Sequence, residues 1–203
     1  FGTIVLKNSK LHSYGTCDLI NVKYADFALV ENCNLKGNNA FDTDGLDYDQ
    51  ITNGIIQGNK IHDFDGINSD GIDLGEGSEN IMIYNNFISN CNDKGISIGQ
   101  ASSAVIENNV IMNCYQGVGI KDKDAFGLIT NNTFYKNNIG IACFEKNFLS
   151  GGGSANIKNC IFADSRETPF FVDDVSSINI NYSLTNTVEI PGEGNISADP
   201  MFV

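Results

Sequence analysis

Tryptophan is absent from this chain of 203 residues, and arginine occurs once, at Arg166. Without Trp, and with outward tyrosines such as Tyr84 and Tyr135 forming no stripe, a flat stacking platform for crystalline polysaccharide is not expected. Basic residues number 12 against 25 acidic ones, for a net charge of −13. A nucleic-acid partner needs a basic track to displace counterions, so that class of partner is excluded. An acidic polymer would also be repelled unless a cation stood between. The six cysteines contain no Cys-x-x-Cys pair, which points away from a zinc or redox motif. No apolar run is long enough to cross a membrane, so no membrane insertion is expected. Helical stripes are missing as well. Apolar residues come in short runs of Ile, Val and Phe broken by Asn, Gly and Ser, the texture of many short strands.

What the chain does have is a phrase centred on asparagine. It runs Leu6-Lys7-Asn8, Val30-Glu31-Asn32-Cys33, Ile56-Gln57-Gly58-Asn59, Ile83-Tyr84-Asn85-Asn86, Ile106-Glu107-Asn108-Asn109, Ile129-Thr130-Asn131-Asn132 and Ile157-Lys158-Asn159-Cys160. The starts are 24, 26, 27, 23, 23 and 28 residues apart. A repeat of that length marks a solenoid. About ten residues on, a second phrase carries a Gly in register: Gly45, Gly71, Gly95, Gly117 and Gly140. A corner at positive φ would suit these glycines. After each, inward and outward residues alternate, with Ile72 and Leu74 inward and Asp73 outward. In the Asn strand, Ile83 reads inward, Tyr84 outward and Asn85 inward. The next apolar column (Leu11, Leu35, Ile61, Ile88, Ile111, Phe134, Phe162) requires a slip of one residue at each Asn pair. Asn tolerates the left-handed conformation that such a bend demands.

Three short strands per coil, stacked in parallel, make an all-β, single-domain right-handed parallel β-helix of seven to eight coils over residues 1–203. The final Ala198-Asp199-Pro200-Met201-Phe202-Val203 stops in mid-phrase without a polar cap, so the chain reads as a fragment of a longer one with other domains. Cys91 and Cys114 occupy equivalent positions in successive coils. A rise of about 4.8 Å permits a disulfide there, but stacked buried thiols are the simpler expectation. Lys121-Asp122-Lys123-Asp124 reads as a solvated turn.

In the same register, Asp44 falls on Asp70 and Asp47 on Asp73, with Lys94 and Ser97 next in the two columns. Carboxylates about 4.8 Å apart repel by roughly 3.5 kcal/mol at an effective dielectric of 20, and by about 1 kcal/mol in bulk water. A shielded stack therefore calls for a cation, and calcium accepts such oxygen ligands. The metal candidates are Asp44, Asp47, Asp70 and Asp73. Asp70 and Lys94 are the candidate catalytic groups: a Lys can remove the proton next to a uronate carboxylate, although its acidic neighbours push its pKa upward. A plain hydrated acidic face with Lys94 as its counter-charge is the competing reading.

The repeat phrase resembles the parallel β-helix repeat of bacterial pectate-lyase-like proteins along nearly the whole chain. Asn68-Ser69-Asp70-Gly71-Ile72-Asp73 resembles the Asn-x-Asp-Gly motif of polygalacturonases. Their Asp-Asp pair, Gly-His-Gly and Arg-x-Lys are not matched, since Asp93-Lys94 and Gly119-Ile120-Lys121 stand in those places. Calcium-dependent β-helix lyases offer a plan onto which Asp44, Asp47, Asp70, Asp73 and Lys94 can be placed. The run Asp70–Gln100, with the ending Gly194-Asn195-Ile196-Ser197-Ala198-Asp199-Pro200, looks most like uncharacterised β-helix regions of large secreted bacterial proteins. The resemblance implies an extracellular or cell-surface module that acts on polysaccharide, with calcium-dependent β-elimination of a uronate polymer as the expected reaction. Its alternative is a non-catalytic stalk, adhesin or glycan-binding module, because this fold hosts both.

Overall fold

The computed structural model describes residues 2–202, and among these there are strands, turns and bends but no helix. The first coil lays down Thr3–Lys7, Lys10–His12 and Ile20–Lys23, one strand on each of three walls. Later coils repeat the circuit, giving a first sheet of eight strands, a second of nine and a third of seven. Every neighbouring pair within a wall is parallel, for example Ile81–Tyr84 on Ser103–Glu107 and Lys94–Ile98 on Gln116–Lys121. The expected solenoid is therefore the fold, with about eight turns.

The register follows the apolar columns read from the sequence. Leu35, Ile61, Ile88, Ile111, Phe134 and Phe162 stack one on the next along the second sheet, each 0–1% exposed. Fully burying such a side chain contributes about 1.5–3 kcal/mol. Where the column becomes aromatic, Phe134 and Phe162 stack face to face, with ring centroids 4.7 Å apart. Cys91 and Cys114 are both buried free thiols in successive coils.

The corner between the first and second sheets differs in one detail from the sequence reading. Asn85 does not point inward. It is exposed, with φ of 56°, and its equivalents Asn8, Asn32, Asn108, Asn131 and Asn159 have φ between 52° and 58°. A left-handed residue turns the chain so that the following side chain faces the core. The second position of each pair is therefore the buried one. Asn59 N–H donates to Asn86 Oδ1 at 2.9 Å, Asn86 N–H to Asn109 Oδ1 at 2.9 Å, and Asn109 N–H to Asn132 Oδ1 at 2.8 Å. Each amide also donates through Nδ2 to a carbonyl of the preceding coil, as Asn86 does to Ile56 O at 2.8 Å. Buried backbone groups at the bend are thereby satisfied. Ser183 and Asn195 continue the role where the ladder asparagines stop.

The glycines of the second phrase also act differently from expectation. None of Gly45, Gly71, Gly95, Gly117 and Gly140 has positive φ. They are needed for close approach. A Cβ on Gly45, Gly71, Gly95 or Gly117 would lie 2.4, 2.7, 2.8 or 2.5 Å from the carbonyl oxygen of the next glycine in the column. Backbone nests directly on backbone there, and no side chain fits between.

Two substitutions separate the ladder from the bend. Asn86→Ala orphans Asn59 N–H and Ile56 O and is expected to cost about 2–6 kcal/mol in urea unfolding, at about 1–3 kcal/mol per orphaned group. Asn85→Gly keeps the positive φ available and is expected to stay within about 1 kcal/mol of the parent. Equal losses in the two variants would contradict this division of labour.

Candidate functional site

The outward face of the third sheet is a grid with three positions per coil. Successive coils present Asn21 and Lys23, then Asp47 and Asp49, then Asp73 and Gly75, then Ser97, and then Gly119 and Lys121, at the second and third positions. Lys94 pairs in register with Gln116 at the first position, and Asp44 and Asp70 precede them at the corner. The face thus runs from acidic coils into a region of small residues framed by Lys94, Gln116 and Lys121. The predicted stacking of Asp47 on Asp73 is observed directly.

Asp44 and Asp70 have a structural duty that the sequence did not reveal. Asp44 N–H donates to Asp18 Oδ1 at 2.9 Å, Asp70 N–H to Asp44 Oδ1 at 2.6 Å, and Lys94 N–H to Asp70 Oδ1 at 2.8 Å. This is a second ladder, made of carboxylates instead of amides. It carries an electrostatic cost. Burial pushes Asp44 well above the usual carboxylate range, and the charge of Asp70 pushes it further. Asp70 is raised by burial too, though Lys94 pulls it back. Burial and the charge of Asp49 raise Asp47 to about 7.

Two lysines answer that charge. Lys94 is only 5% exposed although it stands on an outward position. Its Nζ lies 3.5 Å from Asp70 Oδ1 and pairs with Asp93 Oδ2. Burial alone would lower its pKa, but Asp70 and Asp93 outweigh that and hold the ammonium above its ordinary value. Lys121, 7% exposed, reaches back two coils to Asp73 at 3.6 Å. The expected solvated turn at Lys121–Asp124 is thus half wrong. Lys121 ends a strand, and buried Asp122 accepts hydrogen bonds from Lys146 N–H and Asn147 N–H. The strand Gln116–Lys121 runs one residue further than its neighbour Lys94–Ile98, which brings Lys121 onto the sheet. Beside Lys121 a small cavity of about 100 Å³ is lined by Asp73, Gly99, Gln100, Lys146 and Asn147.

The four aspartates proposed for calcium do not converge. Oxygens of Asp44 and Asp70 are occupied by backbone N–H groups, Asp47 accepts from Asn21 Nδ2 at 2.6 Å, and Asp73 faces Lys121. Among the described residues no three Asp, Glu, His or Cys side chains are grouped to hold a metal. Calcium takes six to eight oxygens, and this donor set does not fit it, so no step below runs through a metal. A groove of about 660 Å³ along the exterior of the first sheet is lined by residues such as Phe27, Ile55, Met82 and Leu128. None of its lining side chains ionises, so it offers no acid–base chemistry.

With parallel walls, ladders and corners established, the class of protein is a right-handed parallel β-helix. Residues 2–150 match the family described as right handed beta helix region, and the chain belongs to that family. No curated protein matches it. Among solved structures it is similar to the A-module of the mannuronan C-5 epimerase AlgE4 of Azotobacter vinelandii, with a TM-score of 0.60 at 15% identity. The match covers 98% of this chain but 57% of the epimerase module. At that identity the likeness is one of fold.

Protonation links the site to stability. Asp44, Asp47 and Asp70 bind protons more tightly in the folded chain than in the unfolded one. Their contribution is complete below the ordinary carboxylate pKa of 3.8 and is lost as pH rises through the folded values, about 7 for Asp47. The unfolding midpoint is expected to fall between about pH 5 and about pH 9. Asp44→Asn keeps an acceptor for Asp70 N–H and removes the charge, so it should flatten that fall. A midpoint independent of pH would contradict the assignment. Calcium alone, titrated calorimetrically, is expected to give no binding heat.

Proposed function

We propose that this chain is a polysaccharide-active β-helix module that takes a uronate polymer across the third sheet, with Lys94 and Asp70 at the centre of its chemistry. One observation carries the reading: an ammonium held almost completely buried on an outward face, against a carboxylate of raised pKa. The fold likeness to a mannuronan C-5 epimerase module supports the same substrate class. The same reading places the domain outside the cell, where such polymers lie, within a larger parent protein.

The chemistry follows from charge. Removing the proton next to a uronate carboxylate places a second negative charge on that group, and a cation beside it lowers the barrier. Lys94, held protonated by its neighbours, suits that role better than the role of base expected from the sequence. When its ammonium turns to the substrate carboxylate, Asp70 loses its cationic partner. Its affinity for a proton then rises, which makes the carboxylate a better base at the moment one is needed. The C5 proton passes to Asp70 and the electron pair moves into the carboxylate of the sugar. Collapse with loss of the C4 oxygen gives an unsaturated uronate, with the leaving oxygen taking a proton. Return of a proton to the opposite face of C5 gives the epimer.

A second reading has its own support. Each of these charged groups is already matched inside the protein, Asp70 by Lys94 and Asp73 by Lys121. That self-sufficiency also suits a binding module that recognises uronate without transforming it.

Oligouronates incubated in deuterated water distinguish the two. Catalysis predicts deuterium at C5 or new absorbance from an unsaturated uronate. Lys94→Met, which keeps the stem and removes the charge, should lower either rate about 100-fold or more. Undiminished activity in that variant sinks the mechanism, and binding without exchange selects the second reading.

A further inference from the structure

Two polar atoms on this same face are buried and have no hydrogen-bond partner among the described residues: Ser97 Oγ and Gln116 Oε1. Their residues are 0% and 9% exposed. Ser97 stands between Ile96 and Ile98, which point into the core, so its own side chain points outward. An outward side chain with no exposure is roofed. The register partner of Ser97 in the next coil is Gly119, and two residues further along the chain, just past the end of the strand, comes Gly99. A Cβ on Gly119 would lie 2.4 Å from Gln116 Oε1 and 2.7 Å from Lys94 Cδ, and one on Gly99 would lie 3.1 Å from Lys121 Cε. The stems of the two lysines therefore lie flat in the depression that two missing side chains leave beside Ser97.

This roof is held only at its ends. Asp70 and Asp93 hold the ammonium of Lys94, and Asp73 holds that of Lys121. Leaving a buried donor or acceptor unpaired costs free energy. Two such atoms under one roof of lysine stems are groups awaiting a partner that the free protein does not supply.

We propose that Ser97, Gly99 and Gly119 form the floor of a recognition subsite for one hexuronate residue, with Lys94 and Lys121 as its closing latch. The proposal rests on the uronate reading above and names the groups that read the sugar. A substrate carboxylate is chemically equivalent to the aspartates that hold the latch. It can take one or both ammonium groups in exchange, so that neither ammonium is left without a counter-charge. As the stems lift, Ser97 Oγ and Gln116 Oε1 come free to pair with ring hydroxyls. A neutral sugar has no carboxylate to trade and leaves the latch closed. Recognition of charge and recognition of hydroxyls are thereby coupled in one movement.

The test measures binding of an oligouronate and of its carboxyl-reduced counterpart to the full chain by calorimetry, with thermal unfolding alongside. Ser97→Ala and Gln116→Met remove the orphan groups and leave the lysines and their aspartates in place. Expected is a loss of affinity of about fivefold or more in either variant, the scale of one neutral hydrogen bond. Their unfolding midpoints should match or exceed that of the parent, since an unsatisfied buried group has gone. Unchanged affinity in both variants overturns the subsite and leaves the uronate reading standing. Equal binding of the carboxyl-reduced oligomer overturns the latch. No binding of oligouronate by the parent chain overturns both the subsite and the reading beneath it.

Discussion

The interaction on which the rest depends is the hydrogen bond from a backbone N–H at a corner to a side-chain oxygen of an adjacent coil. Strand ladders tie coil to coil along the walls, but at corners the chain leaves the ladder and its amides would be buried without partners. Asn59, Asn86, Asn109 and Asn132 supply the acceptors at one corner. Asp18, Asp44 and Asp70 supply them at another. Ser69 and Ser78 do the same for Thr43 and Ile51. Since a slip of one residue would turn every side chain to the other face, these corner bonds also secure which residues face the solvent.

The two ladders differ in their electrostatic consequence. An amide satisfies a neighbouring N–H and adds no charge. A carboxylate makes a stronger hydrogen bond but brings a negative charge close to the next one. The aspartate corner is therefore stable only where cations or protons offset it. Lys94 and Lys121 lie back across the sheet toward the acidic coils, and the carboxylates nearest the corner are raised. The same arrangement that resolves a packing problem creates groups with unusual protonation on an accessible face. Such groups are the raw material of acid–base chemistry.

Much of this was legible in the chain itself. The spacing of the Asn phrase yields the number of coils and their register, and from these the juxtaposition of Asp47 with Asp73 follows without coordinates. Several things were not legible. The direction of Asn85 depends on which member of its pair takes positive φ, and at 85/86, as at 108/109 and 131/132, both are asparagine. The role of the corner glycines depends on backbone approach between coils, which periodicity does not report. Lys121 was taken for part of a turn because strand ends vary by a residue or two from coil to coil. Ser97 and Gln116 carry no signal at all, since small and polar residues are common on outward positions.

Sequence alone determined the repeat, the parallel stacking and the column to which each residue belongs, because a solenoid turns linear period into spatial register. Only the tertiary structure decided what the columns do. Whether Asp70 is a free carboxylate, a corner acceptor or the partner of Lys94 depends on distances of a few ångströms across three coils. The four aspartates share a face by register yet are drawn to separate partners. Lysine side chains are long enough to cross a coil, and where they come to rest is set by the local field and by the space two glycines leave open.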